Sequence, residues 1–199
     1  MHTDLLIYLV HALFWGAFVF TRLVLQRQAQ TVDMQRTGPV ADQPRTAPWS
    51  RMLMALHMLA FGVLYFGIGS AVLPDRVPDL FPGQRVAGTL LIAAGAGLMC
   101  WALAWFGSWR FRAQVDAGHQ LATGGPFRLV RHPLYAGMNL LAIGTAVWIP
   151  TPVLGAALLL MLLGSDLRAR AEEKLLASVF GNRYLEYCSH TRRFVPGIY

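Results

Sequence analysis

Residues 125–137 read GPFRLVRHPLYAG and separate two strongly apolar parts of the chain. Among them, Arg128, Arg131, His132 and Tyr135 are polar, and Pro133 interrupts the run. Polar and ionisable side chains are costly near hydrocarbon, so their concentration at a membrane boundary indicates a binding or catalytic site. The apolar segments on either side of this stretch predict the fold.

Long apolar runs indicate a membrane protein. The chain has 199 residues, of which 55% are hydrophobic and 14% are charged, and this is too apolar for an ordinary soluble domain. Runs at 5–25, 52–73 and 86–106 each approach the roughly 20 residues that cross a bilayer as a helix. Two shorter runs, 134–149 and 153–163, flank a Pro-Thr-Pro turn at 150–152. We expect an all-α integral membrane protein with five transmembrane helices, the last two forming a helical hairpin.

The distribution of charge predicts an orientation and argues against nucleic-acid binding, although the net charge is +7. Basic residues gather after the first, third and fifth predicted spans: Arg27, Arg36, Arg45, Arg51, Arg110, Arg112, Arg128, Arg131, Arg168, Arg170, Lys174, Arg183, Arg192 and Arg193. The other side holds Arg76 and Arg85, offset by Asp75 and Asp79. This asymmetry follows the positive-inside rule, so we expect the N-terminus outside and the C-terminus in the cytoplasm.

The chain is expected to form one domain over residues 1–199. Its first part, 1–107, holds three spans and a mobile cytoplasmic loop near 26–51, which is polar and contains three prolines. Its second part, 108–199, holds a linker, the helical hairpin and a C-terminal cytoplasmic helix. That helix is predicted to be amphipathic, because apolar residues from Leu167 to Phe180 recur at helical spacing.

Two small-residue patterns have simple structural explanations. Ala93 and Gly97 are four residues apart in the third span, a spacing that allows close helix packing. Gly124 and Gly125 precede Pro126, and glycine lets a backbone approach a ligand closely.

Trp105 belongs to a tryptophan stripe that predicts an interfacial belt or, alternatively, one wall of a lipid pocket.

The order of His132, Pro133 and Tyr135 predicts a helix start that binds a ligand. Proline disfavours helical geometry in the residue before it and suits the first turn of a helix, so His132 should flank the start of the fourth span. A helix N-terminus favours an anion such as a carboxylate. Tyr135 lies about one turn further on the same side, where its ring can face a cation.

An acidic pair, Glu172 and Glu173, follows in the next cytoplasmic segment. Successive helical residues point about 100° apart, so at most one of the two is expected to face the site squarely. Arg168 and Glu172 are four residues apart and share a face. Spacing alone leaves two interpretations open: a carboxylate that binds a ligand, or a solvated helix with ion pairs.

In this order and spacing the motifs resemble the isoprenylcysteine carboxyl methyltransferase family and the wider group of integral-membrane methyltransferases that includes phospholipid N-methyltransferases. The resemblance covers roughly residues 119–196. Its elements are His119-Gln120-Leu121, Gly125-Pro126-Phe127, Arg131-His132-Pro133-Leu134-Tyr135 with Gly137, Glu172-Glu173, Phe180-Gly181 with Tyr184 and Tyr187, and Val195-Pro196.

The resemblance implies that S-adenosylmethionine binds between the linker and the helix after the fifth span. The positions it assigns to the cofactor are His119, Leu121, Ala122, Phe127, Arg131, His132, Tyr135, Glu172 and Glu173. Phe127 stands where the family often has tyrosine, so any contact of a hydroxyl there is missing. Arg168 matches an arginine that meets the carboxylate of the substrate, and no metal is implied.

The acceptor of the methyl group stays open at this point: prenylated cysteine carboxylates, phospholipid amines, and small lipophilic thiols or acids all fit. The expected partners are a lipophilic substrate and membrane lipids, not nucleic acid. Two other functions compete. A membrane reductase of the sterol reductase type would use a nicotinamide cofactor, although the chain has no dinucleotide fingerprint. A non-catalytic membrane protein would keep only the scaffold.

Overall fold

In the part of the chain that the structure describes, six α-helices carry the fold. The structure is a computed structural model that describes residues 3–33, 45–46, 49–73, 77–106, 114–115 and 121–199. The helices are α1 (Leu6–Asp33), α2 (Ser50–Val72), α3 (Gln84–Phe106), α4 (Pro133–Trp148), α5 (Pro152–Phe180) and α6 (Asn182–His190). The described residues also include 3-10 turns at Thr3–Leu5 and Gly125–Arg128, and a two-residue antiparallel pair, β1 (Arg45–Thr46) with β2 (Gln114–Val115).

Four of these helices are long and apolar enough to cross a membrane: Leu6–Arg27, Arg51–Val72, Gln84–Trp105 and Pro152–Phe180. The chain is accordingly a helical membrane protein. Helix α4, which was expected to be the fourth of five spans, has 16 residues and is therefore about 24 Å long. Because a hydrocarbon core is about 30 Å thick, α4 is short for a full crossing, and the count of five spans stays a prediction.

Helix α1 is longer than predicted. It continues to Asp33, so residues 26–33 belong to the helix and not to the predicted loop at 26–51. The physical reason is composition, since the Gln, Arg and Ala residues of this part are good helix formers and the first proline comes at Pro39. Helix α2 already begins at Ser50. Residues 34–44, the centre of that loop, lie outside the described residues.

The predicted hairpin between α4 and α5 is present. Thr151 caps α5 by accepting a hydrogen bond from the backbone N–H of Leu154 at 3.4 Å, and Pro152 occupies the first helical position. The apolar span and the charged segment after Ser165 form one continuous helix of 29 residues. That helix ends at Gly181, whose φ of 53° is a conformation that favours glycine.

Helices α3 and α4 approach each other through glycines. A Cβ added to Gly95 would lie 2.6 Å from the carbonyl oxygen of Gly137, and one added to Gly88 would lie 2.6 Å from that of Gly144. Such separations leave no room for a side chain. The prediction that Ala93 and Gly97 mediate close packing was wrong, because both are exposed and nothing lies within 4 Å of a Cβ at Gly97. The contact face is two residues away from the one expected.

A partly buried ion pair lies at the end of the bundle opposite residues 125–137. Asp4 is 5% exposed, and Arg85 of α3 meets both of its carboxylate oxygens, at 2.6 and 3.0 Å. Trp148, the last residue of α4, donates its indole N–H to Asp4 at 3.2 Å. These bonds join the residues before α1 to α3 and α4, so the hairpin turn has a fixed position relative to the first three helices.

We expect Gly95→Ala to destabilise the protein by about 1–3 kcal/mol, because the added methyl meets backbone that cannot move away cheaply. The matched control is Gly97→Ala, two residues along the same helix with open space around it. That change should leave stability equal or raise it by up to about 1 kcal/mol, since alanine favours helix over glycine. Reversible unfolding in mixed micelles measures both. Equal effects of the two substitutions would contradict the glycine contact.

Candidate functional site

His132 lies at the start of α4, as its place before Pro133 predicted. It is the N-cap residue, and Pro133 is the first residue of the helix. The backbone before it pairs with the C-terminal segment, defined here as residues 191–199. Arg131 N–H donates to the carbonyl of Arg192 at 2.7 Å, and His132 N–H donates to that of Arg193 at 3.1 Å. Residues 131–132 are therefore held by a strand-like contact with residues about sixty positions further along the chain, which no local pattern indicates.

Gly124 and Gly125 pack against an aromatic ring. A Cβ at Gly124 or Gly125 would lie 2.5 Å from ring atoms of Trp105, the tryptophan near the end of α3. The expectation that these glycines allow close approach of a ligand is thus corrected, since the close neighbour is Trp105. Gly125 also has a φ of 54°, which favours glycine. The turn and the tryptophan together set the path of the chain into α4.

Phe127 is connected to helix α6 through its backbone. The hydroxyl of Tyr187 donates to the carbonyl of Phe127 at 2.6 Å. Burial raises the pKa of the Tyr187 phenol above its ordinary value, so the phenol keeps the proton that this bond requires. This contact uses the main chain of residue 127 and is independent of whether a phenylalanine or a tyrosine stands there.

Glu173 is the charge centre of the site. It accepts hydrogen bonds from Arg131 Nε at 2.9 Å and from Arg193 Nη2 at 2.7 Å, and His132 Nε2 lies 3.3 Å from its Oε1. The Glu173 side chain is 15% exposed. Bonds to Glu173 raise the pKa of the Arg193 guanidinium further, so Arg193 stays charged. A half-buried carboxylate with two guanidinium partners joins α5 to the linker and to the C-terminal segment.

Glu172 faces the other side of the same histidine. It accepts a short hydrogen bond from the hydroxyl of Tyr135, and its second oxygen lies 3.7 Å from His132 Nδ1. Arg168 Nε lies 3.5 Å from Glu172 Oε1, as the spacing of four residues predicted. The expectation that at most one glutamate would face the site was wrong. The ring of His132 lies between the two side chains, so carboxylates that point in different directions reach different nitrogens.

Three buried side chains surround the ring of Tyr135, which is 5% exposed. The ring of His132 stacks on it with centroids 5.6 Å apart, and the Arg168 guanidinium lies 5.5 Å from its centroid. His57 of α2 contributes a third ring, 5.8 Å away. A lone histidine in a membrane span is more often a packing residue, so the sequence alone does not single out His57. No spacing within α2 indicates its neighbours.

His57 belongs to a buried polar chain that crosses three helices. Its Nδ1 lies 3.3 Å from the carbonyl of Leu53, and its Nε2 lies 3.4 Å from Ser165 Oγ of α5. Ser165 in turn lies 2.8 Å from the amide oxygen of Asn139 of α4. Because buried polar groups need partners, these hydrogen bonds hold α4 against α5 about one turn further along α4 than Tyr135.

Arg193 is the main site residue that sequence reasoning missed. Besides Glu173, its guanidinium donates to Asp166 at 2.9 Å and to the hydroxyl of Tyr199 at 2.8 Å. The Tyr199 hydroxyl also bonds Asp166 at 2.7 Å. Arg193 counted in the sequence only as one of many basic residues on the predicted cytoplasmic side. Its distinguishing signal, the acidic partners on α5, becomes visible once the C-terminal segment folds back.

The structure brings together most of the predicted site residues. Arg131, His132, Tyr135, Arg168, Glu172 and Glu173 form one cluster. Phe127 lies at its edge through Tyr187. Leu121 and Ala122 are half-buried, and the hydrogen bonds described for the chain do not join them to the cluster. His119 lies outside the described residues. Arg128 is exposed.

Comparison with known proteins gives related sequences. A family model described as phospholipid methyltransferase matches residues 84–183, from the start of α3 to the start of α6. A probable protein-S-isoprenylcysteine O-methyltransferase of Oryza sativa subsp. indica is 35% identical over 88 residues, 44% of this chain and 46% of that protein. Protein-S-isoprenylcysteine O-methyltransferase A of Arabidopsis thaliana is 37% identical over 86 residues, 43% of this chain and 44% of that protein. The chain thus spans less than half the length of the curated relatives it matches.

Glu173→Gln should cost about 3 kcal/mol of stability, because it leaves two guanidinium groups without their shared counter-charge. Glu186→Gln is the control, since Glu186 is exposed on α6 and its loss should change stability by less than about 0.5 kcal/mol. Reversible unfolding in mixed micelles compares them. A small and equal effect for both would mean that Glu173 does not hold the C-terminal segment to α5.

Proposed function

The chain belongs to the phospholipid methyltransferase family, and on that premise we propose that it transfers a methyl group from S-adenosylmethionine to a lipophilic acceptor at the cytoplasmic face of a membrane. The resemblance identified in the sequence is confirmed at the level of the family. One observation carries the proposal: two carboxylates of α5 meet the histidine and tyrosine at the start of α4, beside a buried arginine.

The residues of the cluster fit the proposed methyl donor. S-adenosylmethionine carries a cationic sulfonium, an α-amino group, a carboxylate and ribose hydroxyls. The carboxylate of Glu172 and the ring of Tyr135 suit the cationic parts or the hydroxyls. The free N–H groups of the first turn of α4, beside His132, suit the carboxylate. When bound, this cofactor would supply an electrophilic methyl group.

Arg168 is proposed to bind the acceptor. It is 5% exposed, and it lies between the ring of Tyr135 and the sulfur of Met54, which is 3.4 Å from Nη1. A guanidinium that is so little exposed to water binds a carboxylate strongly, because both charges escape competition from the solvent. The relatives named as isoprenylcysteine O-methyltransferases support a prenylcysteine-type carboxylate as the acceptor.

The cluster acts by positioning and by excluding water. A carboxylate acceptor is ionised at neutral pH and needs no base, so the protein has to hold the two reactants in line and at close distance. Tyr135, His132 and Arg168 are each at most 7% exposed, and they keep the reaction away from solvent. Neutralisation of charge during the transfer is favoured in such surroundings. We therefore propose no obligatory general base.

The proposed orientation places the cluster on the cytoplasmic side, with the N-terminus outside and the C-terminus in the cytoplasm. The arginines of the linker and of the C-terminal segment lie at this end of the molecule, and the Asp4–Arg85 pair lies at the other end. The arginine-rich end agrees with the positive-inside rule. S-adenosylmethionine is made in the cytoplasm, so the cofactor and its site would share a compartment.

Two measurements test this function. Calorimetric titration of the solubilised protein with S-adenosylmethionine should show binding, and titration with a nicotinamide dinucleotide should not. Transfer of a radiolabelled methyl group to an S-farnesyl cysteine, or to a component of native membrane extract, identifies the acceptor. Binding of the dinucleotide alone would favour the reductase, and binding of neither cofactor would favour a non-catalytic protein.

Glu172→Gln is expected to raise the dissociation constant for S-adenosylmethionine by roughly 10- to 150-fold, because a charge-assisted contact worth about 1.5–3 kcal/mol is lost. Methyl transfer at saturating cofactor should continue, since Glu172 is not proposed to move a proton. Calorimetry gives the first quantity, and a radiolabelled assay gives the second. Complete loss of transfer with intact cofactor binding would overturn the role assigned to Glu172.

Arg168→Gln is expected to raise the KM for the acceptor by about 100-fold, while cofactor binding persists. Lys174→Gln serves as the control, because Lys174 is an exposed cation on the same helix. That change should leave KM and kcat unaltered. An Arg168 variant that loses cofactor affinity and keeps its KM for the acceptor would assign this residue to the cofactor instead.

A further inference from the structure

An apolar cavity lies on the side of α4 that carries Ala136, Leu140 and Ile143. Its volume is about 600 Å³, and its other walls are formed by Leu98 of α3, Leu162 of α5 and residues 194–196 and 199 of the C-terminal segment. Cavities that hold small molecules are about 300–1,000 Å³. The space is therefore large enough for a hydrocarbon chain, and nearly all of its wall is aliphatic or aromatic.

The polar groups at the edge of this cavity are already bonded within the protein. Asn139 is bonded to Ser165, and Asp166 accepts bonds from Arg170, Arg193 and Tyr199. An occupant thus meets apolar contacts, and its binding relies on the exclusion of solvent and on dispersion. This wall selects a chain without polar groups.

The cavity is separate from the proposed methyl-transfer site. Within the described part of the chain, Tyr135, Arg168 and Glu172 do not line it. The bond between Asn139 and Ser165 joins α4 to α5 between the cavity and His57, which lies on the Tyr135 side. An acceptor whose carboxylate binds Arg168 would extend on that other side of the α4–α5 contact.

The surroundings identify the occupant. Helices α3 and α5 are of membrane-crossing length, so the aliphatic wall between them faces hydrocarbon. Leu129 and Leu162, at the mouth of the cavity, are 48% and 37% exposed. An unfilled space would forfeit dispersion contacts along its wall, and the acyl chains of the bilayer are the apolar molecules available at that depth. We propose that the cavity binds one acyl chain of a bilayer phospholipid.

The bound chain supports the methyl-transfer site through the C-terminal segment. Phe194 forms part of the cavity wall, and its ring lies 6.1 Å from that of His132. The adjacent residue, Arg193, holds Glu173. A chain packed beneath Phe194 and Val195 therefore keeps this segment against the linker. The cavity binds lipid whether or not the protein transfers methyl groups, so failure of either proposal leaves the other intact.

The test uses the full-length protein in phosphatidylcholine nanodiscs doped with a phosphatidylcholine that carries a diazirine on one acyl chain. After irradiation, mass spectrometry should find label on the peptides of α4 around Leu140 and Ile143 and on the C-terminal segment. Ile143→Trp fills the cavity and should abolish this label. Leu159→Trp adds the same ring on the exposed face of α5 and should leave it unchanged, since Leu159 is 69% exposed.

If Ile143→Trp does not fold, Val195→Trp fills the cavity from the C-terminal segment, where the native side chain is 45% exposed, and should give the same loss. Label confined to exposed surfaces of the helices would overturn the proposal, as would label at Leu140 and Ile143 that survives both substitutions. Displacement of the label by an S-farnesyl cysteine would also overturn it, because the cavity would then belong to the acceptor. Each readout is independent of catalysis.

Discussion

The geometry of the site depends on the neutralisation of Glu173. Its carboxylate meets guanidinium groups from two segments that are distant in sequence, Arg131 and Arg193, and it touches His132 between them. A charge that is partly removed from water is tolerated only when its partners are in place, and loss of one partner leaves the others uncompensated. The linker, α5 and the C-terminal segment must therefore assemble together. The paired backbones of residues 131–132 and 192–193 follow from the same requirement.

A second constraint places α4 where this network needs it. The glycine contacts at Gly95 with Gly137 and at Gly88 with Gly144 let α4 lie directly against the backbone of α3. The bulkier ring of Tyr135 then points to the opposite side, toward α2 and α5. This short helix therefore packs on α3 through small residues on one face and contributes Tyr135 to the site from another.

Sequence reasoning succeeded where a single residue type restricts the backbone. Pro133 predicted the start of α4 and the position of His132, and the helical repeat predicted that Arg168 lies beside Glu172. It failed where the partner lies far along the chain. Gly124 and Gly125 were assigned to a ligand because Trp105 is distant in sequence, and Arg193 resembled any other basic residue until Glu173 and Asp166 lay beside it.

Helical rise explains why these particular residues meet. Helix α4 ends and α5 begins at the turn 149–151, so the two helices are level there, and Pro133 lies at the far end of the 16 residues of α4, about 24 Å away. Arg168 lies sixteen residues beyond Pro152 and so reaches the same level as Pro133. Because that height is less than the roughly 30 Å of a hydrocarbon core, the cluster lies within the edge of the bilayer in the proposed orientation. The proposed acceptor can then keep its apolar chain in the membrane. Helix α5 is about 43 Å long over its 29 residues, so its charged end extends past this level toward the water from which the proposed cofactor binds.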